Sequence, residues 1–218
     1  EGSELVERVR THGDLPMLTS CCPAWIKFLE TFYPDLIPHL SSCKSPQQMF
    51  GALAKTYFAQ EAKVDPAKIV SVSVMPCTAK KFEAQRPEMS SSGYRDVDYV
   101  LTTREAARMI RQAGIDFEQL PGANPDELMG LYSGAATIFG ATGGVMEAAL
   151  RTAYKLITGN ELEAIDIAPV RGMNGVKVAS VDVPGLKVNV AVAHGLRHAR
   201  QLLDEIRAGT SPYHLIEV

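Results

Sequence analysis

Two periods of apolar spacing alternate along this chain of 218 residues. Leu5, Val6 and Val9 stand among charges between Ser3 and Thr11, which predicts a helix, with Gly13 placed to end it as a C-cap. Glu1, Glu4 and Arg8 fall at i, i+3 and i+7 and share one face of it. Leu15 to Thr19 is the first strand candidate. Pro23 then opens a helix through Trp25, Phe28, Leu29 and Phe32 that Tyr33-Pro34 closes. Ser45-Pro46 starts a longer helix carrying Met49, Phe50, Leu53, Ala54 and Phe58. A second strand runs from Ile69 to Val74, a short helix from Lys80 to Met89, and a polar loop from Ser90 to Asp96. Val97 to Thr102 is a third strand, with Thr103 capping a helix through Ala106, Met109 and Ile110. Residues 114–135 are Gly-, Pro- and acid-rich and read as loop.

Ile138-Phe139-Gly140-Ala141-Thr142-Gly143-Gly144 leads into a helix from Val145 to Ile157, with Thr142 as its candidate cap. No Gly-Lys-Ser/Thr follows these glycines, so they read as a tight turn and not as a phosphate loop. Ile165–Arg171, Val176–Val183 and Lys187–Ala193 are strand candidates, the last two forming a hairpin about Pro184-Gly185. His194-Gly195 opens a final helix, Leu196 to Arg207, and Tyr213 to Val218 is apolar. No internal repeat or low-complexity tract is present. Strands alternating with helices predict an α/β fold: two lobes of mostly parallel β-sheet flanked by helices, divided near residues 90–100 into lobes 1–95 and 96–218.

Composition narrows the function. The chain is 46% hydrophobic with a formal net charge of −3, which gives no electrostatic case for nucleic acid or an anionic membrane surface. No apolar run approaches the roughly 20 residues that span a bilayer. Four cysteines, Cys21, Cys22, Cys43 and Cys77, are too few for a disulfide scaffold of this length. No C-x-x-C occurs, so neither a zinc ribbon nor a thioredoxin-type dithiol is signalled. Reduced thiols fit the cytoplasm, with the periplasm also open. Cys43 reads as buried and structural, and none of the five histidines is spaced as a metal pair.

Two cysteine segments carry the chemistry. Each follows a strand candidate and places a cysteine beside a proline before a helix, and in open α/β sheets ligands collect at the carboxyl ends of strands. Thiolates there suit a soft metal centre, foremost iron–sulfur. Thr19-Ser20-Cys21-Cys22-Pro23-Ala24-Trp25 and Met75-Pro76-Cys77-Thr78-Ala79-Lys80-Lys81-Phe82-Glu83 resemble the first and second signatures of the iron-only, or [FeFe], hydrogenases. Ser45-Pro46-Gln47-Gln48, Thr102-Thr103-Arg104-Glu105, Phe139 to Ala149 and Val170-Arg171-Gly172 resemble the family as well, so the likeness runs almost end to end. The family's third signature, which supplies two further thiolates, is expected just after Val218, leaving the second lobe incomplete in this sequence.

The resemblance implies a catalytic domain that interconverts dihydrogen with protons and electrons, with the cofactor in the cleft between the lobes. Cys22 and Cys77 are then ligands of a [4Fe–4S] cluster linked to a di-iron subcluster bearing CO, cyanide and a bridging dithiolate. Heterolytic cleavage of dihydrogen needs a proton acceptor, and a thiol, whose free pKa is near 8.5 and shifts with its surroundings, suits that task at Cys21. The family's proton path then runs Cys21, Glu1, Ser41, Glu4, with Arg8 near the exit. By periodicity alone Glu1 and Glu4 would form a solvated face. Lys80 corresponds to the lysine that binds a cyanide ligand, with Glu83 as its candidate partner. Met75, Ser45, Gln47 and Phe139 correspond to pocket-lining positions. Implied partners are ferredoxin or accessory iron–sulfur domains for electrons and maturation proteins for the di-iron unit. Two other readings stay open: a non-catalytic relative, either a hydrogen sensor or an iron–sulfur assembly protein, and a cluster-free scaffold fragment.

Overall fold

The computed structural model describes residues 1–126, 128–129, 134–162, 168–169 (backbone only) and 175–218. The chain forms two compact units. One is built from Glu1–Cys43 and Tyr132–Val218, the other from Lys44–Leu131. The division expected near residues 90–100 therefore falls elsewhere: the chain leaves the first unit after Cys43 and returns to it late. The reason is strand pairing, because the first strand finds its partner at the far end of the sequence.

In the first unit the elements are α1 (Gly2–Thr11), β1 (Met17–Leu18), α2 (Pro23–Phe32), α7 (Ala135–Ile138), α8 (Gly144–Thr158), β4 (Ala168–Pro169), β5 (Val176–Val183), β6 (Leu186–Ala193), α9 (Leu196–Arg207) and β7 (Leu215–Glu217). The sheet order is β1-β7-β6-β5-β4. β1, β7 and β6 run parallel, and β5 and β4 are antiparallel. The remainder of the Ile165–Arg171 strand candidate, and Val170-Arg171-Gly172, lie outside the described residues.

Successive strand residues point to opposite faces, and the register sorts them into two cores. Met17, Leu215 and Val190 align across the sheet and pack with Leu5, Met146 and Leu150 of α1 and α8. Leu18, Ile216 and Ala191 face the other way, onto Trp25 and Leu29 of α2 and Leu202 and Leu203 of α9. The unit is thus a helix–sheet–helix sandwich. Its parallel strands end at one edge, where Ser20–Cys22, Glu217–Val218 and His194 emerge.

The second unit contains α3 (Pro46–Leu53), a π-helical turn (Ala54–Phe58), α4 (Ala59–Ala62), β2 (Val72–Met75), α5 (Ala79–Ala84), β3 (Tyr99–Thr102) and α6 (Thr103–Gln112). β2 and β3 pair in parallel, with Met75 in register with Thr102. Among the described residues three of the five strand pairings are parallel.

Several end signals differ from their expected positions. The left-handed residue that ends α1 is His12 (φ 53°), with Gly13 one position beyond. Thr102, not Thr103, caps α6, in a reciprocal box with Glu105. Within the segment read as loop, Phe117–Gln119 forms a 3₁₀ turn and α7 begins at Ala135. Thr142 does not cap α8 either: Gly143 (φ 97°) is the N-cap, and the helix N-terminus is closed by a side chain from β7. Gly144 must be glycine, because a Cβ there would meet the Ile138 carbonyl oxygen at 1.7 Å.

Candidate functional site

The Thr19–Trp25 segment is fixed by its own ends. Thr19 is fully buried, its N–H donates to the Ile216 carbonyl (3.0 Å), and its Oγ1 accepts the Val218 N–H (3.3 Å). Trp25, in the first turn of α2, reaches back and donates Nε1–H to the Thr19 carbonyl at 2.9 Å. Between these anchors Cys21 and Cys22 are held half-buried where β1 ends, with Cys22 as the N-cap of α2 and Pro23 as its first residue. None of the four cysteines is in a disulfide.

Beside this turn lies a network built on α1. Glu4 accepts Ser41 Oγ–H at 2.6 Å, the Ser42 N–H at 3.0 Å and an Arg8 N–H at 2.8 Å. Arg8 also donates to the carbonyls of Asp14, Pro38, His39 and Leu40, at 2.6–3.2 Å. Glu4 is therefore part of a knit cluster and not of a solvated face. Burial pushes its carboxyl up, but the bonds from Ser41, Ser42 and Arg8 together hold it below its ordinary value. Glu1 accepts from the Ser20 N–H (3.2 Å) and Oγ–H (3.3 Å), and the same Ser20 hydroxyl is also 2.5 Å from the Cys43 carbonyl oxygen. No hydrogen bond joins Glu1 to Ser41 directly among the described residues. Cys43 is half-buried, and its Sγ lies 3.8 Å from Glu4 Oε2. Ser20 and Cys43 were not assigned to the path by sequence. The signal available was their adjacency to Cys21 and Ser41.

Glu217 is the other carboxylate that sequence reasoning missed. Only 7% exposed, it accepts the N–H groups of Gly143 (2.9 Å) and Met146 (2.6 Å) at the start of α8. Burial dominates and raises its pKa, the two N–H donors pull it down, and the negative charge of Glu1 pushes it up again. Nearby, Thr142 Oγ1 and His194 Nδ1 are 3.2 Å apart. Phe139 follows α7 at an exposed turn.

In the unit Lys44–Leu131, the second cysteine segment is organised around a buried ion pair. Lys80 Nζ lies 3.2 Å from Glu83 Oε2, with both side chains below 10% exposure. The same Glu83 oxygen accepts Ser45 Oγ–H (2.9 Å) and Gln47 Nε2–H (3.3 Å), and Gln47 Oε1 accepts Ser73 Oγ–H (2.8 Å). The α3 N-cap is thereby tied to α5, which follows Cys77. Met75 and Cys77 stand half-buried where β2 ends. Gln48, adjacent to Gln47, is fully buried, and neither of its side-chain amide atoms is hydrogen-bonded among the described residues.

The donor chemistry suits an iron–sulfur group in kind: thiols stand half-buried at the carboxyl ends of β1 and β2. It does so only in part, because no group of three or more His, Cys, Asp or Glu side chains able to hold a metal occurs among the described residues. No helix among them is long and apolar enough to cross a membrane.

The family model for the C-terminal domain of the iron only hydrogenase large subunit matches residues 1–218. The periplasmic [Fe] hydrogenase large subunit of Nitratidesulfovibrio vulgaris is 56% identical over 219 residues, covering all of this chain and 52% of that protein. Cytosolic iron-sulfur assembly component 3 of Pongo abelii is 36% identical, covering 99% of this chain and 47% of that protein. The chain thus spans about half the length of these curated relatives. Among solved structures, an apo [FeFe]-hydrogenase from Chlamydomonas reinhardtii matches with a TM-score of 0.85 at 41% identity, over 99% of this chain and 62% of that one.

Proposed function

This chain belongs to the family defined by the C-terminal domain of the iron only hydrogenase large subunit, and on that premise we propose that it is the part of an [FeFe]-hydrogenase catalytic domain that brings two cluster thiolates and the proton route. The reaction is the reversible interconversion of dihydrogen with protons and electrons. Cys22 and Cys77 are two ligands of a [4Fe–4S] cluster, and the linked di-iron subcluster supplies the hydrogen-activating chemistry when bound. The observation that carries the reading is the unbroken Ser41–Glu4–Arg8 array beside the Cys21–Cys22 turn.

Each residue has a task that its surroundings support. Cys21 accepts or returns the proton next to the reacting centre. Glu1, bonded to Ser20, receives it. Glu1 and Ser41 share no direct hydrogen bond among the described residues, so that step needs a bridging group; Ser41, which both donates and accepts, then passes the proton to Glu4. Glu4, held ionised, does not trap it. Arg8 fixes Glu4 at the outer end. Lys80, held in place by Glu83, presents a cation to an anionic diatomic ligand, and Met75, Ser45, Gln47 and Phe139 line the pocket. Ferredoxin or accessory iron–sulfur domains supply electrons, maturation proteins insert the di-iron unit, and the compartment is the cytoplasm or, as for the 56% identical relative, the periplasm.

The 56% identity to a hydrogenase against 36% to an assembly component favours the enzyme over the non-catalytic reading. Anaerobic iron and sulfide quantitation on reconstituted protein, with EPR of the reduced sample, tests it. The expected result, in a full-length polypeptide that carries all four cluster thiolates, is iron uptake that Cys22→Ala or Cys77→Ala removes and Cys43→Ala leaves. In the full-length polypeptide Cys21→Ser nearly abolishes turnover without removing iron. Iron uptake indifferent to Cys22 and Cys77 overturns the reading.

A further inference from the structure

From α6 we infer an acidic electron-carrier protein as docking partner, its negative face resting on Arg104, Arg108 and Arg111; the identity of that carrier rests on the functional reading above. The three arginines fall at i, i+4 and i+7, a stripe about 10 Å long on one face of the helix. All three are exposed. None has a hydrogen-bonding or ion-pairing partner among the described residues. The helix's acidic residue does not neutralise them, because Glu105 is committed to the Thr102 cap and to Lys81 at 2.6 Å. In a chain of formal charge −3 this is a locally basic face.

Two further features fit a protein partner. Ile115, Phe117 and Leu120 are exposed just beyond the C-terminal end of α6, and arginine beside aromatic and aliphatic side chains is the composition that interfaces favour. The stripe also begins beside the second cysteine segment. The α6 cap, Thr102, is in register with Met75, two residues before Cys77, and Lys81–Glu105 ties α5 to α6. A carrier seated there lies near the segment proposed to receive its electrons, and opposite charge speeds and orients such encounters.

The test is titration of a small acidic bacterial ferredoxin into cluster-free protein, comparing wild type with R104E/R108E/R111E. Glutamate is as good a helix former as arginine and the positions are exposed, so α6 persists, which circular dichroism checks. Reversal is expected to raise Kd by about tenfold or more at low salt, and wild-type affinity is expected to fall as ionic strength rises. Arg197→Glu, on α9 in the other unit, is expected to leave Kd unchanged. Equal ferredoxin affinity of wild type and triple variant overturns the proposal, as does binding to phosphatidylserine vesicles in place of ferredoxin. Because binding is read without a cluster, its failure stays separate from failure of the iron test.

Discussion

Arg8–Glu4 and Lys80–Glu83 are both cation–carboxylate pairs, one guanidinium and one ammonium, in two settings. The first is half-wet, with side chains 16% and 18% exposed; the second is nearly dry, at 8% and 5%. Glu4 shares its charge among a serine hydroxyl, a backbone N–H and a guanidinium whose other donors go to carbonyls. It is tied down yet within reach of water, which suits the proton exchange proposed for it. Glu83 is enclosed by Lys80, Ser45 and Gln47, an arrangement that holds its position. Burial is the clearest difference between the pair proposed to relay protons and the pair proposed to hold Lys80 in place.

The largest effect should come from breaking the dry pair. Glu83→Ala removes the carboxylate paired with a buried ammonium and is expected to cost about 3–5 kcal/mol in urea unfolding, while the double replacement Lys80→Met/Glu83→Leu recovers most of it. A double variant as unstable as the single one would show that the pair stabilises in its own right.

Next comes the wet pair. Ser41→Ala removes one of the bonds that stabilise ionised Glu4, so its pKa rises and stability falls by about 1–2 kcal/mol at neutral pH. The sign follows from linkage. Glu4 is lowered in the fold, so its contribution is present above the unfolded value of 4.5 and lost as pH falls through the folded value. Glu217 is raised, so its contribution is full below 4.5 and lost as pH rises through its folded value. Urea midpoints against pH for wild type, Ser41→Ala and Glu217→Gln should show these opposite slopes, and parallel profiles would contradict the assignment.

The smallest effect lies at the surface. Glu105 is lowered to about 2, first by the Lys81 hydrogen bond and then by Thr102. Lys81→Ala should raise that value in an NMR titration while leaving the unfolding midpoint within error, because an exposed pair contributes little.

Local signals were legible and distant ones were not. The sequence pattern placed α9 at Leu196–Arg207 and β5 at Val176–Val183 with their observed bounds, since each is a clean periodic run bounded by turn residues. The spacing of Glu1, Glu4 and Arg8 and the resemblance brought the α1 cluster into view. Glu217 as the cap of α8 was invisible, because its partners at Gly143 and Met146 are more than 70 positions away. The unit boundary was missed for the same reason: the strand neighbour of β1 is β7, and nothing near Met17 announces Leu215. The shift from Thr103 to Thr102 at α6 turns on Glu105, whose reach back selects the earlier hydroxyl.

The bond from Val218 to Thr19 spans 199 positions, and this has a consequence for synthesis. A ribosome adding about 5–20 residues per second leaves β1 waiting roughly 10–40 s for its neighbouring strand β7. The Lys44–Leu131 unit is complete in sequence long before then and can fold while the Cys21–Cys22 turn is still unformed. For that interval the emerging chain displays a thiol pair and an apolar strand with no sheet to join, a window in which chaperones and oxidants compete with folding.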